Sequence, residues 1–261
     1  MRVVVWNMGH WTKSADHAAA AWERLDALEP DIALLQEAAP PEGRVDVVYR
    51  PIGGSRNWGS AVVGYGVPLT EVTHAQGRYA EQPVPLAGTL PGSVAVAAAT
   101  MGGREYTFVS MYGVIDGGYA DTTVNRYLSD MVPLLDSAQH EGRIVLGGDL
   151  NITTQWSGNQ ARYREWELAT FARIRAFGLV DLSDISRPAG RLEGCDCPDG
   201  GDCRHIRTQY HHKSDKPWQN DYAFASAELV DTGVFQSAAV LDQAPWASPG
   251  EHLPLVLEFS G

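Results

Sequence analysis

A short apolar run, rich in β-branched residues and bounded by Gly, Pro, Asp or Asn, recurs along this chain and limits the folds open to it. The runs are Arg2–Trp6, Asp31–Leu35, Ser60–Tyr65, Ser93–Thr100, Glu105–Tyr112, Arg143–Leu146, Asp221–Ala225 and Leu253–Phe259. Each has the length of a strand. Helical stretches lie between only some of them. Asp16–Leu28 has a polar entry at Ser14 or Asp16, an Ala-rich body and a stop at Glu29-Pro30. Asp121–Ser137 reads similarly, as does Asn159–Phe177, which ends at Gly178. Strands outnumber helices, and many neighbouring strands have no helix between them. That predicts an α/β fold in which a sandwich of mixed sheets is covered by helices, rather than a doubly wound parallel sheet. With no repeat and no linker-like composition, one domain over residues 1–261 is expected. The least regular stretch runs from Ser186 to Trp218 and is Cys/His-rich from about residue 190. Loops of that length in compact domains are usually functional or disordered.

Charge narrows the function classes. Twenty Lys and Arg against 32 Asp and Glu give −12, which argues against a protein held to nucleic acid by bulk positive charge. It leaves room for a nuclease that grips phosphate locally through a metal. No apolar run approaches the roughly 20 residues of a membrane span. The N-terminus, MRVVVWNMGHW, enters a strand-like run at once, so no signal peptide is expected and the expected compartment is cytoplasmic.

Small polar and acidic residues gather at strand ends. Asn7 follows the first run, Glu37 the second, and Tyr112 closes the fifth. Asp149 and Asn151 follow the sixth through Gly147-Gly148, Asp221 opens the seventh, and Glu251-His252 precedes the last. Taken singly, each fits a turn former, a cap or a surface residue. A layered sheet fold would place them around one rim, where loops can form a cleft. Carboxylates with an Asn make an oxygen-rich site of the kind Mg²⁺ or Mn²⁺ prefers. The most specific piece is GGDLN, Gly147–Asn151: two glycines allow close backbone approach, and polar groups follow at i and i+2.

These pieces, in this order, resemble the endonuclease/exonuclease/phosphatase superfamily of metal-dependent phosphoesterases with a deoxyribonuclease-I-like fold. The matching segments are WNM (Trp6–Met8), LLQEA (Leu34–Ala38), SMYG (Ser110–Gly113), GGDLN (Gly147–Asn151), NDYAFAS (Asn220–Ser226) and EHLP (Glu251–Pro254). They span nearly the whole chain. The resemblance implies a four-layer α/β sandwich, two packed mixed β-sheets flanked by helices. It implies Glu37 as the principal Mg²⁺ carboxylate with Asn7 beside it, and Asp149 as the group that orients and deprotonates the attacking water. It implies Asn151 as a donor to phosphate or to Asp149, His252 as a phosphate contact oriented by Asp221, and Tyr112 as a further phosphate contact. One residue departs from the pattern: Glu251 stands where the family usually has Asp, which puts a second metal position at Glu251 in doubt.

The loop TQYHHKSDKPWQND, Thr208–Asp221, resembles a run in some bacterial members. It offers His211, His212, Lys213 and Trp218, with Arg207 beside them, for phosphate binding and ring stacking. A solvated loop with one packed Trp explains it equally well. Cys195, Cys197, Cys203 and His205 lie within 11 residues. Such density suits a tetrahedral structural Zn²⁺, the alternatives being free thiols or one disulfide with a spare. The expected activity is Mg²⁺-dependent phosphodiester hydrolysis, with Mn²⁺ able to substitute and nucleic acid, DNA above all, as substrate. The alternatives are hydrolysis of small or lipid phosphoesters, and a binding protein on the same fold. No obligate protein partner is evident.

Overall fold

The structure is a computed structural model and describes residues 1–10, 13–54, 56–86, 88–137, 143–187, 190–211, 213–242, 246 and 251–260. The strands of the first half are β1 (Arg2–Asn7), β2 (Ile32–Ala38), β3 (Val47–Gly53), β4 (Arg56–Gly64), β5 (Thr70–Glu71), β6 (His74–Ala75) and β7 (Val84–Pro85). They continue with β8 (Val94–Met101), β9 (Arg104–Met111), β10 (Ile144–Asp149), β11 (Leu179–Asp181), β12 (Asp221–Ser226), β13 (Phe235–Val240) and β14 (Leu255–Phe259). The helices are α1 (Ala15–Asp26), α2 (Asp121–Asp130), α3 (Val132–Leu135), α4 (Ala161–Ala176), α5 (Leu182–Ser186) and α6 (Ala227–Asp231).

Two six-stranded mixed sheets carry the fold, in the orders β13-β14-β1-β2-β4-β3 and β11-β12-β10-β9-β8-β5. Each has one parallel pair at its centre, β1 with β2 and β9 with β10, and antiparallel neighbours on either side. The parallel pairs are joined by helical crossovers, as parallel strands require. Side-chain alternation then makes four layers. Val3 and Val5 point into the sandwich against Phe108, Val145 and Ala223, while Val4 and Trp6 face outward onto Trp22 and Leu25 of α1. On the other sheet Leu146, Tyr222 and Phe224 face outward onto Tyr127, Phe171 and Ile174 of the covering helices. Central strands covered on both faces read as continuous apolar runs, which is why they are plain in the sequence.

Local chemistry sets the helix ends. The Ser14 hydroxyl accepts from His17 N at α1, and the Asp181 carboxylate accepts from Ser183 N and Asp184 N at α5. The helix expected over Asp121–Ser137 is two pieces, α2 and α3. Pro133 has no N–H to donate and its ring crowds the preceding turn, so the chain restarts at Met131-Val132.

Close packing explains the paired glycines of β10. A Cβ on Gly147 would lie 2.5 Å from a Val5 methyl of the facing sheet, and one on Gly148 would lie 1.8 Å from the Met111 carbonyl oxygen of β9. The strand that ends in Asp149 is thereby pressed against both neighbours. Gly148→Ala is therefore expected to destabilise the protein by about 3 kcal/mol, the upper range for overpacking. At roughly 2–4 °C per kcal/mol for a chain of this size, thermal unfolding should show a drop of about 6–12 °C. An unchanged melting temperature would contradict this packing.

Candidate active site

The polar residues of the strand ends meet at one edge of the sandwich. Asp149 is buried and held from three directions. Its Oδ2 accepts from Asn7 Nδ2 at 2.8 Å and from Asn151 Nδ2 at 3.1 Å, and its Oδ1 accepts from the Asn151 backbone N–H at 2.9 Å. Asn7 Oδ1 is engaged by Gly9 N at 2.9 Å. Asp221 faces Asp149 across the β10–β12 ladder. It holds His252, whose Nδ1 lies 2.9 and 3.1 Å from its two oxygens. The other ring nitrogen, Nε2, is 3.8 Å from Asp149 Oδ2 and 2.9 Å from the Gln209 amide nitrogen, Nε2.

Glu37 reaches the site through a backbone distortion. The β2–β4 register shifts between Leu35 and Ala38, and Glu37 itself has φ +47°. That left-handed conformation costs a non-glycine residue of order 1 kcal/mol or more, and such bulges re-aim side chains. Asn151, at φ +51°, occupies the same region, which Asn tolerates better. Behind Glu37, Gln36 donates to Ser110 Oγ at 2.9 Å and Ser110 donates to the Leu35 carbonyl at 2.7 Å, pinning the two sheets together beneath the site. The Tyr112 hydroxyl belongs to the same cluster as Glu37, Asp149 and Asn151, and its ring packs edge-on against Trp58 at 5.5 Å.

Electrostatics follow from burial. Glu37, Asp149 and Asp221 are all buried. Burial pushes Asp149 up to about 7, and the charges of Asp221 and Glu37 push the same way against the pull of His252. Burial alone would lower His252, but Asp221 and then Asp149 outweigh it and raise the ring to about 10. Tyr112 is held well above the ordinary phenol range by burial and by Glu37 and Asp149. Glu37, Asp149 and Asp221 place three buried carboxyl groups beside one imidazole, and the side chains of Glu37, Asp149 and Asn7 all present oxygen atoms. That set fits a hard divalent cation, with Glu37 and Asn7 as the residues that would hold it.

The structure thus brings together Asn7, Glu37, Tyr112, Asp149, Asn151, Asp221 and His252. Glu251 goes elsewhere: its carboxylate pairs with Lys13 Nζ at 2.5 Å and with His17 at 3.7 Å. Trp218 stacks edge-on with Trp156 at 5.3 Å and lines a cleft of about 640 Å³ that also includes Asn151, Asn220, Gln209 and His211. Arg207 lies over the Tyr210 ring and, with His211 and Lys213, borders a separate depression of about 530 Å³. His212 lies outside the described residues. Four contributors were missed in the sequence. Gln209 touches His252, and Asn220 donates to Gln209 Oε1 at 2.9 Å. Thr208 Oγ1 accepts from Asn220 N at 3.0 Å and Asp221 N at 3.1 Å. Trp156 walls the cleft. Thr208, Gln209 and Asn220 all stand inside segments singled out from the sequence, but nothing in residue type separated them from ordinary loop polar groups.

A two-sheet α/β sandwich with an acid–amide–imidazole cluster at its strand ends defines the class, and the comparisons agree. The sequence profile of the "Endonuclease/Exonuclease/phosphatase family" matches residues 4–248. This chain belongs to that family, whose members are hydrolases acting on phosphoester bonds and are generally dependent on divalent metal. No curated protein matches it in sequence at a significant level. Among solved structures it is similar to the endonuclease domain of TRAS1, a telomere-specific non-LTR retrotransposon, with 16% identity and TM-score 0.64 over 100% of this chain and 98% of that one. It is similar to an AP endonuclease from Archaeoglobus fulgidus, with 16% identity and TM-score 0.64 over 100% of both chains. It is also similar to the 3' phosphatase NExo from Neisseria bound to a product DNA hairpin, with 18% identity and TM-score 0.62 over 100% of both. At such identities these likenesses establish the fold alone.

Proposed function

We propose that this protein hydrolyses phosphodiester bonds of nucleic acid, DNA above all, using Mg²⁺ or Mn²⁺ held at Glu37 and Asn7. The reading rests on the buried Asp149 carboxylate, fixed by Asn7 and Asn151 and set 3.8 Å from an imidazole that Asp221 orients through Nδ1. When bound, the cation neutralises phosphate charge and acts as a Lewis acid toward a phosphoryl oxygen. The remaining work falls to side chains. Asp149 takes a proton from water as its oxygen attacks phosphorus. The P–O bond to the leaving oxygen breaks, that oxygen takes a proton from solvent water, and Asp149 returns to solvent the proton it took. His252 donates through Nε2–H to a non-bridging oxygen as charge builds there, while Asp221 keeps the ring oriented through Nδ1–H. Tyr112, neutral throughout, offers its hydroxyl to the same phosphate.

The aromatic cleft beside the site supports a nucleobase-bearing substrate. Trp218, Trp156, Tyr163, Tyr119 and Trp166 form a chain of ring contacts at 5.3, 6.0, 5.5 and 6.4 Å. Base-on-aromatic stacking is worth about 1–3 kcal/mol per base. The AP endonuclease and the DNA-bound 3' phosphatase among the structural neighbours favour DNA. The −12 net charge favours a second reading, hydrolysis of small phosphoesters. Comparing kcat/KM on a DNA duplex, single-stranded DNA and a panel of small mono- and diesters tests the choice. A higher value on DNA supports the proposal, and activity confined to small esters transfers the site to the second reading.

The pH profile should carry the signature of the pair. Asp149 acts only when ionised, so kcat/KM rises about tenfold per pH unit toward about 7 and flattens above it. Bound cation favours the carboxylate, so saturating Mg²⁺ moves this limb lower. His252 acts when protonated, so the rate falls as pH passes about 10. A profile that lacks the acid limb at all Mg²⁺ concentrations would remove Asp149 from the role of base.

A further inference from the structure

The long loop between α5 and β12 contains a second, chemically different cluster. Cys195, Cys197, Cys203 and His205 are buried, and one ligand atom from each lies within 4.8 Å of every other. Cys195 Sγ and Cys203 Sγ are 4.0 Å apart, too far for a disulfide at about 2.05 Å. His205 Nδ1 is 3.4 Å from Cys203 Sγ and 3.7 Å from Cys195 Sγ. Zinc bonds of about 2.3 Å to sulfur and 2.0–2.1 Å to nitrogen give tetrahedral edges of about 3.8 Å for S···S and 3.6 Å for S···N. The two S···N separations bracket the S···N edge, and the S···S separation of 4.0 Å lies close to the S···S edge.

The surroundings are those of a metal site. His205 turns Nδ1 toward the sulfurs, and its Nε2 lies 2.7 Å from Thr154 Oγ1, a partner that would fix the tautomer with Nδ1 free to ligate. Gln155 Nε2–H points at Cys195 Sγ at 3.4 Å. Binding Zn²⁺ to three thiols and a neutral imidazole releases three protons and leaves the centre at −1. Arg191 donates to the Cys197 carbonyl at 3.1 Å and Arg187 to the His205 carbonyl, so positive charge already stands against it.

The cluster also sits where it can control the phosphoester site. Thr154 and Gln155 continue the segment that begins at Asp149. Gln155 in turn donates to the Pro217 carbonyl at 2.7 Å and accepts from Gln219 N at 2.7 Å. One residue further, Asn220 accepts from Leu150 N at 2.9 Å through its carbonyl, and Asn220 contacts Gln209, the neighbour of His252. We propose that Cys195, Cys197, Cys203 and His205 bind one Zn²⁺ in a closed tetrahedral centre that locks the Asp149–Gln155 segment to the Thr208–Asp221 loop. With four protein ligands it holds no open position for water, so it is a structural strut and takes no part in bond breaking. The zinc centre stands apart from the proposed phosphoester reaction. Only its effect on turnover rests on that reading.

The test uses the full chain. Metal analysis after dialysis into Mg²⁺ buffer should find about one zinc per chain. Cobalt introduced in its place should give the visible bands of tetrahedral Co²⁺ and near-ultraviolet thiolate charge transfer. Cys197→Ser should lose the bound metal, and His205→Cys, which keeps four ligands, should retain it. Zinc removal should lower the melting temperature by roughly 10 °C or more, and Mg²⁺ alone should not restore full turnover to stripped protein. If Cys197→Ser does not fold, the cobalt spectrum of the unaltered chain decides. Absence of zinc, a cobalt spectrum without thiolate charge transfer, or a folded Cys197→Ser variant with full zinc content overturns the proposal. A thiolate–cobalt spectrum in a protein without phosphoesterase activity upholds the zinc centre and rejects the proposed reaction instead.

Discussion

Asp149→Asn is expected to lower kcat by about 10²–10⁴, the usual contribution of a positioned general base. The change is nearly isosteric but removes the proton acceptor. It also disturbs a fixed hydrogen-bond pattern. Asp149 accepts from Asn7 and Asn151 on Oδ2 and from the Asn151 backbone on Oδ1. An amide has one oxygen, so either arrangement sets an NH₂ against an N–H donor. That mismatch costs about 1–3 kcal/mol, partly offset because a buried carboxylate that crowds Asp221 and Glu37 has been neutralised. Stability should therefore change little while turnover collapses. Retained turnover with normal folding would show that water is activated elsewhere.

The second large effect is expected at Glu37. Glu37→Gln keeps the shape of the side chain and removes its charge from the group of buried carboxylates. Loss of a ligand's supporting partner typically costs 10–100-fold in metal affinity, and loss of the charged ligand itself should cost at least about that. Half-maximal activity should shift to at least about 10-fold higher Mg²⁺, measurable as rate against metal concentration. Neutralising Glu37 also removes one of the charges that raise Asp149, so the acid limb of the metal-free pH dependence should move down. An unchanged Mg²⁺ requirement would place the cation away from Glu37.

The sequence was most legible where burial is most complete. The eight apolar runs correspond to β14, β1, β2 and β4 in one sheet and β12, β10, β9 and β8 in the other, the four inner strands of each. Those strands are covered on both faces over most of their length, so most of their positions favour an apolar residue. The strands of these two sheets that escaped notice, β13, β3, β11 and β5, are the sheet edges, and the short pair β6 and β7 went unread as well. FQSAAV of β13 is half solvated, and VVYRPIG of β3 carries Pro51, which edge strands accept and inner ones do not.

A similar split runs through the site. Asn7, Glu37, Asp149, Asn151, Asp221 and His252 could be read because each sits at the end of an inner strand or beside the segment that enters one. The ion pair between Lys13 and Glu251 could not, because α1 is brought near the chain end only by folding. Nor could the Gln209–His252 contact, which depends on the path of a long irregular loop. The Glu37 bulge left no signal either. Its cost is visible only in a backbone angle that favours glycine and is here given to a carboxylate.

The proposed reaction has Asp149 and a divalent cation together cleave phosphodiester bonds in DNA. Its most direct test is supercoiled plasmid incubated with the purified protein and Mg²⁺, beside a control without divalent cation and beside Asp149→Asn. Nicked or linear DNA is expected only with the unaltered protein and the metal. Intact plasmid under all conditions, or nicking that survives the Asp149 substitution, would contradict it.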